Sequence, residues 1–436
     1  MSLKWLAVLA AGAAWAGPVY HGGVEDVFAR RCVVCHQAGG IGPMQLGTYA
    51  QVRPWARAIR EAVLQRTMPP WSADSSVGVR FRNDRSLSAQ ERQAIVDWVD
   101  AGAVEGPAVV ETKMVPGGTK APVVPRRAPD LVVRIPGFPV PASGVVEYTF
   151  LVTPVKLDHD EWIERAEWKV QHPEVIHHIN ALIRPKGSSY VAEAPAGKFY
   201  VASGAERSAK RPDEAEIDRR ELLVGYEPGY RPEPWGAGRA KLLRRDADIV
   251  FEMHYTPNGH AVTDYSELDI YFAREAPRER VITIAPADPH LLIPAGDADA
   301  RSEATATFTQ PVTLVSLQPH MHLRGKAYQM TLVYPDGRRQ LLLSVPHYDF
   351  HWQTTYFLAQ PMQLPKGATI ECVAEYDNSP NNPNNPDPKK TVRWGDQSWE
   401  EMNIGFLEAA IPVGADAQVA VLSGTTKPAP GGGRLQ

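Results

Sequence analysis

The pattern of apolar and polar positions changes character twice along the chain. Its first apolar stretch, Trp5 to Ala14, is ten residues long, half of the ~20 that a membrane-spanning helix requires. Lys4 precedes it and Ala14-Trp15-Ala16 offers a small-x-small cleavage pattern before Gly17, so residues 1–16 predict an export signal. Helical signals follow. Ser88-Ala89-Gln90-Glu91 reads as a capping box, Ile95, Trp98 and Val99 line one face of the helix it starts, and Gly102 ends that helix. A small all-α domain is expected over 17–108. From Val109 to Pro129 the apolar periodicity disappears and prolines recur, which predicts a semi-extended linker over 109–129.

Beyond the linker the pattern is that of short strands separated by turns. Val145 to Val152, Ala247 to Tyr255, Glu267 to Phe272, Ala304 to Phe308, Tyr328 to Tyr334 and Ala368 to Tyr376 each carry β-branched and aromatic residues. Pro335-Asp336-Gly337 and Pro365-Lys366-Gly367 punctuate them as turns. Many short strands with such punctuation argue for antiparallel sandwiches. Glu174 to Ile183 is a further apolar, strand-like segment that contains His177 and His178. The loop Asn378 to Pro388 and the Trp394-Gly395-Asp396 that follows it lead into Met402, as cleft lining or as surface connections.

Composition changes this picture in three ways. With 436 residues the chain is long enough for about three domains, each with its own core. A formal net charge of -4 gives no basic field, so nucleic acid is not an expected partner. Only three cysteines occur, and two of them form Cys32-Val33-Val34-Cys35-His36. C-x-x-C-H is the attachment pattern of a c-type haem, in which two thiols add to the vinyl groups and the next imidazole becomes an axial iron ligand. A zinc half-site would lack its second pair of ligands, and a redox C-x-x-C would want a strand-to-helix setting. Met68, in Met68-Pro69-Pro70, is the expected second axial ligand, with Met44 as competitor. Residues 20–105 therefore resemble a small helical cytochrome c domain.

The histidines supply the other candidate chemistry. In chain order they give His177-His178 and His254, then His320-Met321-His322, followed by Met402. Three imidazoles suit one transition metal; two imidazoles with a thioether, and neither thiolate nor carboxylate, lean towards copper. Adjacent strand residues point to opposite faces, so His177 and His178 can serve one ion only if the chain twists or bulges there or lies at a strand end. His320 and His322 share a face and face no such difficulty. His172, His347 and His351 are spare imidazoles with expected supporting or surface roles, His172 being placed nearest the first site.

His177-His178, His254-Tyr255, His320-Met321-His322-Leu323-Arg324-Gly325-Lys326 and Glu401-Met402 together resemble the copper type II ascorbate-dependent monooxygenases, the group of dopamine beta-monooxygenase and peptidylglycine alpha-hydroxylating monooxygenase. The resemblance spans about residues 130–412. It implies two all-β antiparallel, jelly-roll-like sandwich copper domains, at 130–280 and 281–415, which here would follow the small all-α cytochrome c domain already expected; a flexible tail is expected over 416–436. It also implies two copper ions, in addition to the covalently attached haem expected at Cys32 and Cys35: His177, His178 and His254 for an electron-supplying copper, and His320, His322 and Met402 for the copper that meets dioxygen. The implied activity is hydroxylation of an activated C–H bond of a small molecule. Its electrons would come from a cytochrome, a quinol-linked donor or an ascorbate-like reductant, relayed by the haem in a periplasmic or otherwise exported protein. The alternative is a copper and haem protein for redox sensing or electron transfer without turnover. Two departures matter. Gln318-Pro319 stands where peptide-amidating relatives place an arginine, and Cys372 has no partner once the haem takes the other two thiols.

Overall fold

The computed structural model describes residues 17–38, 40–107, 127–201, 221–227 and 235–427. The expected export signal, most of the linker and the end of the expected tail lie outside the described residues. The chain forms two compact units, Met1–Pro70 with Arg85–Val124, and Trp71–Asp84 with Pro125–Gln436.

The first unit holds the helices Glu25–Arg31, Tyr49–Val52, Ala56–Leu64 and Ala89–Asp100, and no strand among its described residues. Helix Ala89–Asp100 begins with the expected capping box: Glu91 N–H donates to Ser88 Oγ at 3.1 Å, and Ser88 N–H donates to the Glu91 carboxylate at 2.9 Å. Such a cap stabilises a helix by about 1 kcal/mol. The face it aims inward buries Ile95, Val96 and Trp98. Trp98 packs 5.8 Å from the Tyr20 ring and 6.1 Å from Phe28, and its indole N–H donates to the Val104 carbonyl at 2.9 Å. Gly102, at φ +94°, closes the helix in a conformation that only glycine adopts without strain.

The second unit is almost entirely β. An eight-stranded sheet runs in the order Leu131–Arg134, Glu267–Phe272, Glu161–Lys169, Arg239–Leu243, Glu279–Ile284, Ile404–Pro412, Val312–His320, Tyr356–Leu364. Two five-stranded sheets cover it. The first, Phe199–Tyr200, Thr149–Pro154, Asp248–Tyr255, Ile176–Arg184 and Glu221–Tyr226, shares a core with the early half of the long sheet, through Leu151, Ile179, Phe251, Ile163 and Leu268. The second, Arg339–Val345, Gly325–Val333, Thr369–Tyr376, Ala300–Phe308 and Ala420–Lys427, closes over the later half around Met330, Ile370, Leu314 and Leu407. Along Ala300–Phe308 buried and half-buried positions alternate strictly, the period a strand with one core face requires.

Two features differ from the sequence expectation. The sandwiches are not separate bodies, because the long sheet continues from one into the other through a short parallel pairing of Glu279 with Arg239 and Arg280 with Ala240. The chain beyond residue 416 is also not wholly a tail: Ala420–Lys427 pairs antiparallel with Ala300–Phe308 over eight residues and covers what would be an open edge. At the seam a fully buried Lys241 bridges the halves. Its ammonium lies 2.8 Å from Glu408 and donates to the Leu222 carbonyl and Thr283 Oγ1, while Glu408 also accepts from Trp235 Nε1 at 3.1 Å and Ser316 Oγ at 2.9 Å.

Trp71–Asp84 belongs to this unit although its neighbours on both sides in sequence belong to the other. Trp71 packs 5.0 Å from the ring of Tyr356, Phe81 bridges Leu358, and Val79 N–H donates to the Leu342 carbonyl at 3.0 Å. Asn83 holds the end of the segment by donating to Thr355 O at 2.7 Å and accepting from Phe357 N at 3.1 Å.

Candidate metal centres

His177 and His178 lie on Ile176–Arg184, in register with Asp248–Tyr255 so that His178 faces His254 across the ladder. The register shifts between Ile176 and His178, which leaves His177 as the extra residue of a bulge. This irregularity is what two adjacent histidines need in order to turn their rings to one side. The ring centroids of His177, His178 and His254 are 5.0–5.3 Å apart, and one ligand atom from each lies within 4.8 Å of the others. Among the described residues they are the sole group of three or more His, Cys, Asp or Glu side chains so arranged.

Their electrostatics fit a cation better than an empty core. Burial holds His177 and His178 well below the ordinary histidine range, and neighbouring imidazoles push the same way; burial takes His254 down to about 4. All three rings are therefore neutral and able to donate lone pairs. Nδ1 of His254 is buried without a hydrogen-bond partner, and neither ring nitrogen of His177 has a well-aligned one, the Phe350 backbone being the polar group that acts on that ring; His254 Nε2 lies 3.4 Å from Ser398 Oγ. Leaving a buried polar atom unpaired costs ~1–3 kcal/mol, and a metal ion that takes the single lone pair of each neutral ring removes that cost at the ligating nitrogen.

The second group is built where strand Val312–His320 ends. The rings of His320 and His322 stand 5.1 Å apart at 89°. His320 Nδ1 lies 2.6 Å from Gln353 Oε1, and His322 Nδ1 lies 3.2 Å from the Glu400 carbonyl, so both rings are oriented by their Nδ1 partners and keep Nε2 for another ligand. Burial lowers both, His320 to about 4. Met402 is 9% exposed. It lines one cavity of about 70 Å³ together with His178, His320 and His322, so both groups open on the same space, with Glu252 and Asp396 on its wall. Phe350 stands between them, stacked 4.5 Å from His177 and edge-on 6.1 Å from His322.

Behind the second group sits a residue that sequence reasoning used only as a marker. Glu401 is fully buried, and its carboxylate accepts the backbone N–H groups of His322 at 2.8 Å and Arg324 at 2.6 Å. Burial pushes its pKa up to about 8, against the pull of those donors. Arg324, also buried, donates to Asn378 Oδ1 and to the Trp399 carbonyl, and Tyr376 O–H donates to the Met402 carbonyl at 2.8 Å. Ser398, Gln353 and Glu400 act here through single atoms and carry no sequence signature. The spare imidazole beside the triad is His351, 5.6 Å from the His177 ring; His172 pairs with Glu174 at 3.0 Å instead.

In the helical unit Cys32 caps helix Glu25–Arg31, and the N–H groups of Cys35 and His36 both donate to its carbonyl. His36 Nδ1 lies 3.0 Å from the Met44 carbonyl, and a side chain at Gly42 would meet that nitrogen at 2.4 Å. Cys32 and Met44 pack on the helical core, while Met68 is 37% exposed.

No curated protein matches the chain. Solved structures that match include infectious bursal disease virus Gx strain, at 12% identity over 64% of this chain and 59% of that one with a TM-score of 0.18. The Gt strain matches at 11% identity over 66% and 60%, with a TM-score of 0.20. This chain thus spans about three fifths of those chains, and at such scores the likeness carries no argument. Residues 286–408, which include His320, His322 and Met402, match the family model described as copper type II ascorbate-dependent monooxygenase, C-terminal domain, and that match supports this family for the chain.

Proposed function

We propose that the protein is a copper-dependent monooxygenase that hydroxylates an activated C–H bond of a small molecule with dioxygen, and that a c-type haem in the helical unit passes it electrons. The observation that carries the reading is the set of orphaned, neutral imidazole nitrogens at the triad, beside a second imidazole pair that opens with Met402 on the same cavity. His177, His178 and His254 would hold one ion; His320, His322 and Met402 would hold the other. Copper held in these places would supply one-electron redox chemistry and, at the thioether-bearing site, reactivity with dioxygen.

The protein's own residues do the rest. Gln353 and the Glu400 carbonyl fix the rings of His320 and His322, and Glu401 fixes the turn that bears them. Phe350 and Tyr148 pack against the triad, and Phe350 also approaches the pair, screening the imidazoles from water. Inserting one oxygen atom and reducing the other to water takes two electrons and two protons from outside the substrate. Their source in this reading is a respiratory, quinol-linked or ascorbate-like donor.

For the haem, Cys32 and Cys35 would carry the thioether links, and His36, its Nδ1 already held by the Met44 carbonyl, and Met68 would bind the iron. The domain assignment expected from the sequence enters this proposal with two changes: a cytochrome c-like domain over 17–108 from which Trp71–Asp84 is excluded, and copper sandwiches over 130–280 and 281–415, the latter joined by strand Ala420–Lys427, in an exported, periplasmic protein. No helix among the described residues is long and apolar enough to cross a membrane.

Metal analysis of the full chain tests the reading. The expected result is two copper ions and one covalent haem per chain, with copper lost from a variant in which His254, His322 and Met402 are all alanine. Stoichiometric copper retained by that triple variant overturns the proposal.

A further inference from the structure

The triad and the His320–His322 pair lie on different sheets, yet one short stretch, Gln397 to Met402, touches both. On the triad side, Ser398 Oγ is 3.4 Å from His254 Nε2. Gln397, 3% exposed, accepts the Tyr148 backbone N–H at 3.4 Å, and the Tyr148 ring packs 5.4 Å from His178 and 5.5 Å from His254. On the other side, the Glu400 carbonyl faces His322 Nδ1, the Glu401 carboxylate holds the His322 and Arg324 backbone, and Met402 supplies its side chain to the cavity.

The stretch is stiff. Gln397 N–H donates to the Glu400 carboxylate at 3.0 Å, and Glu400 N–H donates to the Gln397 carbonyl at 2.8 Å. Gly395 packs against the same carboxylate, where a Cβ would stand 2.1 Å from it, so the Glu400 side chain fills the inside of the turn. Only Trp399 separates the residue that orients His254 from the carbonyl that orients His322. A tight turn pinned at both ends cannot shift at one without shifting at the other.

We propose that Gln397–Met402 couples the two centres, with Ser398 as the positioning residue. Metal bound at the triad fixes His254 and Ser398, and the turn then presents the Glu400 carbonyl and Met402 in the geometry that the second site needs. Copper at either centre raises the affinity of the other by the same factor, since coupling between two sites is reciprocal. The inference rests on reading both groups as copper sites.

The test is a copper(I) titration of the full chain against a chromophoric chelator, with the second site identified by the Cu–S scattering that Met402 contributes in X-ray absorption. Occupancy, not turnover, is the readout. Second-site affinity should be at least about fivefold weaker in His254→Ala than in the wild type, the low end of usual coupling factors. Ser398→Ala should weaken it by a similar factor in the intact chain and add nothing in the His254→Ala background, whereas Ser398→Thr, which keeps the hydroxyl, should restore it. An unchanged far-ultraviolet spectrum excludes misfolding, as is anticipated for a half-buried loop serine. Equal second-site affinity in the wild type, Ser398→Ala and His254→Ala overturns the coupling and leaves the two-copper reading standing. A chain that takes up no copper at either group overturns both.

Discussion

Replacing Lys241 by methionine should unlock the seam between the two sandwiches. The ammonium is fully buried and lies 2.8 Å from Glu408, whose side chain is 13% exposed. Removing one partner of a buried pair leaves an uncompensated charge and typically costs ~3–5 kcal/mol. Here the lower end applies, because Glu408 keeps donors from Trp235 Nε1 and Ser316 Oγ, each charge-assisted bond being worth ~1.5–3 kcal/mol. The Leu222 carbonyl is likewise not stranded, since Thr283 Oγ1 still donates to it at 3.3 Å. The expected loss is therefore about 3 kcal/mol, or about 1 M in a urea midpoint if the slope is ~3 kcal/mol/M. Urea titration followed by circular dichroism measures it, and an unchanged slope shows that the unfolded state was not the cause. Glu408→Gln should cost a comparable amount, and the double variant less than the two singles added together. A Lys241→Met loss under about 1 kcal/mol, or strictly additive singles, would refute the claim that this pair ties the halves.

Three further outcomes are expected. On the proposed two-copper reading, Met402→Ala should remove one of the two copper ions at saturation, together with oxygen uptake, and should leave reduction of the proposed haem unchanged; metal analysis, an oxygen electrode and visible spectra check these. Gly405→Ala should destabilise the later sandwich by ~1–3 kcal/mol, since its Cβ would stand 2.4 Å from Cys372 Sγ; thermal melts should show partial rescue when Cys372→Ala is added. Ser88→Ala should cost the helical unit about 1 kcal/mol by removing the capping box, with hydrogen exchange of Ala89–Asp100 as the readout.

Local signals in the chain carry much of this architecture. The Ser88–Glu91 box, the strands Glu267–Phe272 and Asp248–Tyr255, and the requirement for a bulge at His177-His178 all follow from nearest-neighbour chemistry, and each has its counterpart in the structure. The seam is different. Its two paired positions on each strand lie some forty residues apart, and a two-residue parallel contact has no period to detect. Trp71 to Asp84 falls within the all-α domain expected over 17–108 because helical signals flank it in sequence; only its partners near residues 342–358 make it part of the sandwich unit. At the candidate centres, residue type finds the imidazoles and Met402. It does not find Ser398 or the Glu400 carbonyl, since a hydroxyl and a main-chain oxygen become specific only through position.

The docking of Val79 on Leu342 also sets a timetable. Those residues are 263 positions apart, so at ~5–20 residues per second the ribosome takes roughly 13–53 s to make the partner after the segment itself. Until the strands Arg339–Val345 and Tyr356–Leu364 exist, Trp71 and Phe81 have no sandwich to cover them, so a chain cut short before residue 342 leaves both aromatic side chains without their partners.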